Sequence, residues 1–555
     1  MALTDWHDLA LFDEWHPEEI AVIVDAVTAE RRVAEGEVLC REDEVADVWW
    51  IVAEGEADIT IAGIYVGTVG PGETLGELAL LDGEPRGGTV TARTDMLLHE
   101  VSADGFDRVM RDAPGFARSI ARQLAGRLRD ANGRAAVAIS TRPDPTPVTV
   151  APAEPVAFNP FAPGYFADPT VQLGAIREQE PVHFAEAMGA YIVTRYDDVY
   201  RLSRDKSVGI EIGAAHSTPS IDAERAQIAQ DPTLAMSMLR SDGDDHTRLR
   251  RLVSKAFTPR AIEQWRMRAI SVTEELIDGI HDAGGGDIIA DLALPLPVQM
   301  ISEMLGMPTE DADQLKTWSA ALAKTLDPLI SDEERAAGTA AAGEMAEYIR
   351  GVYDRKKVDP SDDIMSALIA AEEDGDRLSR DEVMSNVRLL YVAGHETTTN
   401  LIGNGLLALF GNPDQLDRVR TEPGLDANLV EEVLRYDSPV QFTRRIPTAD
   451  IEVGDTTIPA GSVVLLCAAA ANRDPRRWGA THDDFLVARA GANEQLSFGG
   501  GRHFCLGAAL ARLEGQIALP RIVRRFPNLA PISDTPDHMR RMVLRGLATL
   551  NVTTG

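Results

Sequence analysis

Cys505 stands in a segment whose residue types suit a metal ligand. It follows three consecutive glycines, Gly499, Gly500 and Gly501, and precedes the stretch AALARLEGQIALPRIV, whose apolar spacing predicts a helix. Clustered glycines let the backbone approach something flat, and the free N–H groups and dipole of a helix start stabilise a neighbouring thiolate. Such a thiolate suits a metal ion, whereas a lone cysteine in apolar surroundings is usually an inert core residue.

A second segment places an acid and three alcohols within an apolar helical pattern. The residues from Leu390 to Asn400 read LYVAGHETTTN, in which Gly394 and the three threonines are poor helix formers. Something other than helix propensity must keep them there. Two interpretations remain open, a functional site on the helix and a helix kink with satisfied hydroxyl groups.

The cysteine segment resembles the haem-binding loop of the cytochrome P450 family. Phe498, Gly501, His503, Cys505 and Gly507 match the family's spacing at every position. The resemblance implies that Cys505 is the proximal ligand of the iron of heme b, that Phe498 packs beside its sulfur and that His503 lies near a haem propionate. A thiolate ligand donates electron density and favours O–O cleavage, which is why oxygen-activating haem enzymes use it.

The second segment is similar to the family's long distal helix, which has the pattern Ala/Gly-Gly-x-Asp/Glu-Thr. Ala393, Gly394, Glu396 and Thr397 match that pattern. The resemblance implies that Gly394 permits close approach of bound oxygen, that Thr397 hydrogen-bonds it and that Glu396 helps to relay protons to it. The reaction needs protons and no stray water, so an acid and an alcohol in an apolar pocket suit it.

Three cations match the family's contacts to the haem propionates. In DGDDHTRLRR, residues 242–251, His246 and Arg250 stand four residues apart, as they do on the family's propionate-binding helix, and Arg445 matches the third contact. Guanidinium and imidazolium groups suit carboxylates that are taken out of water. Arg248, on the same helix, is expected either on a solvated basic face or in a docking patch for an electron donor.

Glu432 and Arg435 are expected to form a structural pair. They stand at i and i+3 on one helix face, a spacing that says little by itself. In the P450 family such a pair meets an arginine further along the chain. Arg473 and Arg489 both remain candidates for that third member.

The N-terminal part carries residue types that suit a small sugar phosphate. GETLGELALLDGEPR, residues 72–86, combines a glycine-rich turn, a short helical turn and an arginine. This string resembles the phosphate-binding cassette of cyclic-nucleotide-binding domains, which implies that Glu77 binds the ribose 2′-hydroxyl and Arg86 the cyclic phosphate of cyclic AMP or cyclic GMP. The resemblance also implies help from the amides around Gly76, Leu78 and Ala79.

The cassette departs from the family pattern at two places. Gly87 and Gly88 follow the arginine where a small hydroxyl or methyl residue and alanine are usual, and Leu75 replaces the common aromatic residue. The base preference is therefore unreadable, and we expect reduced affinity. The alternative is a domain that keeps the fold for dimerisation and binds no nucleotide, although the intact Glu77 and Arg86 argue against it.

Composition divides the chain into domains at a proline-rich segment. We predict a cyclic-nucleotide-binding domain over residues 1–138, a linker over 139–157 and a P450 domain over 158–555. Short alternating runs predict an α+β β-roll for the first domain, and the second is expected to be mostly α with small β-sheets, with strand-like segments that include AYIVTRY, DIEV and SVVLLCA. A helical stripe from Phe116 to Leu128 either packs on the roll or forms the seam of a homodimer.

Charge and cysteine content exclude several classes of protein. The formal net charge of −34 opposes binding to nucleic acid, and no apolar run is long enough to span a bilayer. The acidic start does not have the pattern of a secretory signal, so we expect a cytoplasmic protein. Three cysteines are too few for a disulfide framework or a four-ligand zinc site.

Together these features predict a monooxygenase that inserts one oxygen atom from O2 into a small hydrophobic substrate, with regulation by a cyclic nucleotide. A separate ferredoxin-type or flavodoxin-type protein and its reductase would supply electrons from NAD(P)H. The alternatives are a peroxide-driven enzyme, a non-catalytic haem sensor, and an enzyme whose N-terminal domain only docks or oligomerises. The substrate, the redox partner, the nucleotide and the oligomeric state cannot be read from the sequence.

Overall fold

The computed structural model describes residues 17–41, 44, 47–61, 64–82, 86–113, 157–328, 330–373, 376–533 and 535–555. Its chain divides into two compact units, Met1–Val150 and Ala151–Gly555. The predicted linker over 139–157, apart from its last residue, lies outside the described residues, as does the stripe from Phe116 to Leu128. In the described part of the chain, no helix is long and apolar enough to cross a membrane.

The first unit contains a β-roll of two four-stranded antiparallel sheets, ordered β1-β8-β3-β6 and β2-β7-β4-β5. Trp49 and Phe106 meet edge to face in one of its two apolar cores, with ring centroids 5.4 Å apart. Its elements are α1 Pro17–Ala26, β1 Val27–Val33, β2 Val38–Cys40, β3 Val48–Glu54, β4 Ala57–Ile61, β5 Ile64–Val69, β6 Thr74–Leu75, α2 Glu77–Asp82, β7 Thr89–Ala92, β8 Met96–Ser102 and α3 Ala103–Asp112.

The second unit is mostly helical, and its helices surround one large apolar core. Its helices are α4 Thr170–Gln179, α5 Tyr196–Leu202, α6 Pro219–Gln230, α7 Gly243–Ser254, α8 Pro259–Glu263, α9 Arg266–Ala283, α10 Pro295–Leu305, α11 Ala312–Lys324, α12 Asp332–Val358, α13 Ile364–Ala370, α14 Arg380–Gly411, α15 Pro413–Thr421, α16 Asp426–Tyr436, α17 Ala468–Ala471, α18 Pro475–Trp478 and α19 Ala508–Arg525.

Small sheets complete the second unit. The largest has the order β11-β15-β18-β10-β9, and the segments predicted as strands from AYIVTRY, DIEV and SVVLLCA form β10, β16 and β18. The strands are β9 Val182–Ala185, β10 Ala190–Val193, β11 Val208–Gly209, β12 Gly285–Asp287, β13 Glu372–Glu373, β14 Asp376–Arg377, β15 Phe442–Pro447, β16 Ile451–Val453, β17 Thr456–Ile458, β18 Val463–Cys467, β19 Ala530–Pro531, β20 Asp537–His538, β21 Leu547–Thr549 and β22 Asn551–Thr553.

Helix α14 is the long central helix that carries the predicted acid and alcohol. A capping box begins it, in which the Ser379 hydroxyl accepts from the Glu382 amide and the Glu382 carboxylate accepts from the Ser379 amide. Most of its length is buried, so packing against neighbouring helices holds the poor helix formers in place. Helix α14 packs beside α19, the helix that follows Cys505.

Candidate functional site

Cys505 lies at the end of a loop that leads into α19. Its backbone N–H donates to the Phe498 carbonyl at 2.9 Å, and the N–H groups of Gly507 and Ala508 point toward its sulfur. The Phe498 ring is half-buried, and the guanidinium carbon of Arg512 lies 4.6 Å from its centroid. The predicted neighbours of Cys505 thus lie on one short turn before a helix start.

Cys505 is exposed, whereas Cys40 and Cys467 are buried. Protein atoms nevertheless surround its sulfur, and this burial raises the pKa of the thiol; the Gly507 N–H and then the Arg250 guanidinium oppose the rise. The helix start alone therefore does not favour the thiolate form of Cys505. From the sequence, by contrast, the N–H groups and dipole of the helix start are expected to stabilise it. A metal cation at this sulfur would reverse the balance, because a coordinating thiol is deprotonated.

The glycines before Cys505 approach protein backbone. A Cβ on Gly501, whose φ is +64°, would lie 2.6 Å from the Ser203 carbonyl oxygen, and a Cβ on Gly500 would lie 2.5 Å from the Ser203 hydroxyl and from a nitrogen of Arg204. Gly501 is therefore required to seat the loop on the end of α5, whereas a side chain at Gly500 would meet side-chain atoms that can move. From the sequence, these three glycines are expected to let the backbone approach a flat ligand.

Two histidines from different segments meet beside the cysteine loop. The rings of His246, on α7, and His503 have centroids 4.4 Å apart, and His503 Nε2 lies 3.0 Å from Asp242 Oδ1. Burial, then the neighbouring His503 and Arg250, lower the pKa of His246 to about 4. His246 Nε2 is buried and has no hydrogen-bond partner among the residues that the structure describes.

The two arginines of the predicted propionate set reach the same region. Arg250 donates to the Phe504 carbonyl at 2.7 Å, next to Cys505. Arg445 is only 3% exposed and donates to the Arg444 carbonyl at 2.8 Å, and burial lowers its pKa to about 10 while Asp242 opposes the fall. A buried guanidinium with no carboxylate bonded to it is costly unless an anion is supplied.

These residues fit heme b. The donor set offers a sulfur ligand on Cys505 and, around it, His246 Nε2 and the Arg445 guanidinium, whose buried donors suit carboxylates such as propionates. His503 is engaged by Asp242, which fixes its position in the cluster. In the described residues no group of three or more His, Cys, Asp or Glu side chains is arranged to hold a metal ion.

The predicted proton-handling pair lies on α14. The Thr397 hydroxyl donates to the Ala393 carbonyl at 2.9 Å, so its oxygen remains able to accept a hydrogen bond. Glu396 accepts from Arg541 at 3.2 Å, and both side chains are largely buried. Sequence reasoning missed Arg541, which stands 145 residues further along the chain.

Gly394 has a packing role that the sequence argument did not foresee. A Cβ at this position would lie 3.1 Å from Cγ1 of Ile301, on α10. Its lack of a side chain therefore lets α10 and α14 pack closely. This contact with Ile301 does not explain the role that the resemblance implies for Gly394, which is close approach of bound oxygen.

Glu432 and Arg435 form a fully buried ion pair with two hydrogen bonds, of 2.7 and 2.9 Å. Arg489 Nε lies 3.1 and 3.0 Å from the two Glu432 oxygens, whereas Arg473 donates to the Tyr436 carbonyl. The structure therefore identifies Arg489 as the third member, a choice that the sequence left open. Through Arg435 and Arg489 this cluster also holds carbonyls of the segment leading toward the cysteine loop.

Glu514, on α19, was not singled out from the sequence. It is fully buried, and burial raises the pKa of its carboxyl group to about 8, with the Thr398 hydroxyl opposing the rise. Within the described residues neither oxygen has a partner in hydrogen-bond geometry. Helical spacing offered a signal, because Leu510, Leu513 and Ile517 put Glu514 on the apolar side of α19.

The nucleotide cassette of the first unit places its two charged residues in the interior. Glu77 begins α2 and is 2% exposed, and Arg86 is 4% exposed. Arg86 donates to the carbonyls of Val48, at 2.5 Å, and Gly76, at 3.2 Å, and its guanidinium carbon lies 4.7 Å from the Trp50 ring centroid. The amide positions of Gly76, Leu78 and Ala79 stand at the start of α2.

Comparisons with known proteins match both units. A family model described as Cytochrome P450 matches residues 210–424 and 425–553. A family model described as Cyclic nucleotide-binding domain matches residues 30–113. The two matches fall on the units that carry the cysteine loop and the cassette.

Individual relatives are bacterial enzymes of similar length to the second unit. Cytochrome P450 107B1 of Saccharopolyspora erythraea is 40% identical over 387 residues, 68% of this chain and 93% of that protein. Vitamin D(3) 25-hydroxylase of Pseudonocardia autotrophica is 38% identical over 407 residues, 71% of this chain and 96% of that protein. The crystal structure of P450BioI in complex with an acyl carrier protein ligated to hexadec-9Z-enoic acid has a TM-score of 0.65 at 33% identity, over 71% of this chain and 100% of that chain.

Proposed function

The chain belongs to the cytochrome P450 family of monooxygenases and carries a cyclic-nucleotide-binding domain, and from that premise we propose that it hydroxylates a small hydrophobic substrate under control of a cyclic nucleotide. The balanced reaction consumes one C–H bond, O2, two electrons and two protons, and yields an alcohol and water. The haem, when bound, supplies the reductive activation of O2. Electrons would pass from NAD(P)H through a ferredoxin-type or flavodoxin-type protein.

The observation that carries the enzymatic proposal is the arrangement around Cys505. Arg250 lies close to the Cys505 thiol, and His503, two residues before the cysteine, contacts the His246 ring. Asp242 joins His503 to the region of the buried Arg445. Cys505 would hold the iron, and the two histidines and two arginines would hold the propionates. The apolar surroundings of Phe498 would keep water from the sulfur.

On the opposite helix, Glu396 and Thr397 would manage protons. The Thr397 oxygen can accept a hydrogen bond while its own proton is held by the Ala393 carbonyl. Arg541 fixes the Glu396 carboxylate, so a change in this ion pair would alter where the acid can deliver a proton. This arrangement supports a monooxygenase over the peroxide-driven alternative, which has no need of such a relay.

Replacement of the proposed iron ligand tests the enzymatic part. Cys505→Ser should abolish the thiolate-specific absorption band of the reduced carbon monoxide complex and all O2-dependent turnover, because a neutral hydroxyl cannot donate as a thiolate does. Cys40→Ser, a buried cysteine of the other unit, is the matched control and should retain both. Persistence of the thiolate band in Cys505→Ser would refute the assignment.

The regulatory proposal depends on Arg86 and Glu77. A cyclic phosphate would have to compete with the Val48 and Gly76 carbonyls for the Arg86 guanidinium, and a charge-assisted bidentate pair is stronger than either neutral bond. Competition of this kind lowers the affinity without abolishing it. Control of turnover further requires that the nucleotide bind two states of the protein unequally.

Calorimetric titration of the haem-loaded full chain with cyclic AMP and cyclic GMP tests this part. We expect binding that Arg86→Ala removes and that Arg93→Ala, a change at an exposed arginine of the same unit, preserves. Turnover is then compared with and without nucleotide. Absence of heat with either nucleotide would favour the second candidate, a docking or oligomerisation module, for which the self-satisfied Arg86 is the specific observation.

A further inference from the structure

A cluster of three arginines and two acids joins four segments of the second unit. Arg444, on β15, contacts both carboxylate oxygens of Glu224, on α6, and Arg240 Nε lies 3.5 Å from Glu224 Oε1. Arg388, on α14, lies 3.2 Å from the Asp231 carboxylate. None of these five residues was assigned a role by the sequence or by the proposed haem and proton sites.

The cluster carries more positive charge than negative charge. Burial lowers the pKa of Arg240; Glu224 and Asp231 oppose that fall, whereas Arg444 and Arg388 add to it. Because a guanidinium keeps its proton, three positive charges face two negative ones and leave one uncompensated charge. An enclosed region of this kind attracts an anion.

Hydrogen-bond donors in the cluster are also left over. Arg240 Nη1 and Arg444 Nε are buried and have no partner among the described residues. Each such donor costs stability unless a ligand or water satisfies it. About a quarter of each side chain, 25% for Arg240 and 26% for Arg444, remains exposed, so an incoming group can reach the guanidinium.

Apolar side chains stand next to this cationic cluster. Met236 and Leu239, on the segment that leads to Arg240, are 38% and 41% exposed. This segment lies directly on α14, because the Met238 N–H donates to the Asn386 side chain at 3.1 Å. Arg388 and Ala393 are five residues apart on the same helix, or about 7.5 Å along its axis, so the cluster adjoins the proposed reaction site.

We propose that the substrate is an amphipathic carboxylic acid whose carboxylate binds between Arg240 and Arg444 and whose apolar chain lies along Met236 and Leu239 toward α14. This inference rests on the proposed monooxygenase function and specifies its substrate class. A carboxylate supplies the missing negative charge and offers hydrogen-bond acceptors to the Arg240 and Arg444 guanidinium groups. An alcohol or ester of the same chain supplies no charge.

Matched ligands test the proposal on the haem-loaded full chain. Dissociation constants are measured by calorimetry, and independently by the shift of the haem absorption band, for octanoic, dodecanoic and hexadecanoic acids and for the corresponding alcohols. We expect at least one acid to bind about tenfold or more tightly than its alcohol. Equal affinities, or no binding by any acid, would overturn the proposal.

Variants then locate the carboxylate. Arg240→Gln should weaken binding of the acid at least about tenfold and leave the alcohol unchanged, and Arg444→Gln should do the same if the first variant does not fold. Arg266→Gln, a change at a surface arginine on α9, is the control. If Arg240→Gln or Arg444→Gln weakens binding of the acid and of the alcohol equally, the arginine only supports the fold. That outcome would refute the carboxylate site. The thiolate band, measured on the same samples, separates this outcome from failure of the proposed function.

Discussion

Buried arginines in the two units meet their hydrogen-bonding needs in different ways. In the β-roll, Arg86 is satisfied by two backbone carbonyls and by the face of Trp50. In the P450 unit, Arg445 bonds one neighbouring carbonyl, and Arg240 keeps a buried donor without a partner in the described residues. The first arrangement is self-sufficient, whereas the second gains stability from an added anion.

This difference predicts how ligands affect each unit. A ligand of the β-roll must replace bonds that already exist, so its net binding free energy is reduced. A carboxylate in the P450 unit satisfies donors that protein folding leaves unpaired, so binding and stability rise together. Substitution of a satisfied cation should therefore destabilise the apoprotein much more than substitution of an unsatisfied one.

The largest expected effect is at Arg435, a fully buried cation whose donors are satisfied. Its guanidinium makes five hydrogen bonds, to Glu432 and to the carbonyls of Asn472, His482 and Asp484. Arg435→Met leaves the buried Glu432 carboxylate with Arg489 as its remaining cation and removes the donor to three backbone carbonyls, and we expect a loss of about 3–5 kcal/mol in the free energy of unfolding. Urea denaturation of the full chain measures this loss.

The control for Arg435→Met is Arg476→Met. Arg476 is itself partly exposed and pairs with Glu178 near the surface and with the Asp474 carboxylate, so Arg476→Met should lose clearly less stability than Arg435→Met. If both variants lose the same stability, the buried pair is not the strong structural contact that its geometry indicates.

A buried acid extends the comparison to the opposite charge. Burial raises the pKa of Glu514 to about 8, above its ordinary value, so the folded chain keeps a proton that the unfolded chain loses near pH 4.5. The stability from this group is therefore full below about pH 4.5 and is lost as the pH rises toward 8, by at most about 5 kcal/mol. Glu514→Gln should flatten this dependence, as measured by urea midpoints at pH 5 and pH 8.

The matched control is Glu422→Gln, which changes an exposed acid on another helix face. Its pH dependence should remain that of the parent chain, because solvent keeps both of its protonation states accessible. A parent-like slope in Glu514→Gln would mean that Glu514 ionises in the folded protein.

Much of the proposed site lies in short segments whose sequences carry the resemblance to the P450 family. The cysteine loop, the Glu396–Thr397 pair and the Glu432–Arg435 pair each lie within one short segment, so the residues that define them are neighbours in sequence. Strands β10, β16 and β18 were likewise predicted from runs of apolar and β-branched residues. The fold class of both units, an N-terminal β-roll and a mostly helical P450 fold with small sheets, agrees with the family matches.

Contacts between distant segments could not be predicted in this way. Arg473 and Arg489 both follow Glu432 at separations in sequence that allow a contact with it. Only the packing of the folded chain decides that Arg489 makes this contact and Arg473 does not. Arg541 reaches Glu396 from 145 residues away, because the chain returns to α14 near β20 and β21. The packing contacts of the glycines also could not be predicted, since the sequence shows that side chains are absent but not what occupies the space.

Arg445 tests the unsatisfied side of the comparison. Because its only hydrogen bond in the described residues is to a neighbouring carbonyl, Arg445→Met should change the stability of the haem-free chain by less than about 1 kcal/mol. The same variant should release haem faster, because a propionate loses its buried cation. Parallel urea denaturation and transfer of haem to an acceptor protein measure the two effects, and a large loss of apoprotein stability would contradict the comparison.

The smallest effect is expected at Gly394, where the packing role and the role implied by resemblance lead to different results. Gly394→Ala gains about 1 kcal/mol of helix propensity, but its Cβ would lie 3.1 Å from Ile301 and must displace that side chain by a few tenths of an ångström. We expect a net change below about 1 kcal/mol. Ile301→Val removes Cδ1, which would lie 3.2 Å from the new Cβ, but keeps Cγ1. It should therefore relieve part of the crowding, so the double variant should be more stable than the sum of the single changes predicts. The packing role would be contradicted if the unfolding free energies of the two single changes were additive. If O2-dependent turnover were also impaired equally in Gly394→Ala and in the double variant, the need for glycine would lie on the oxygen-binding side of α14.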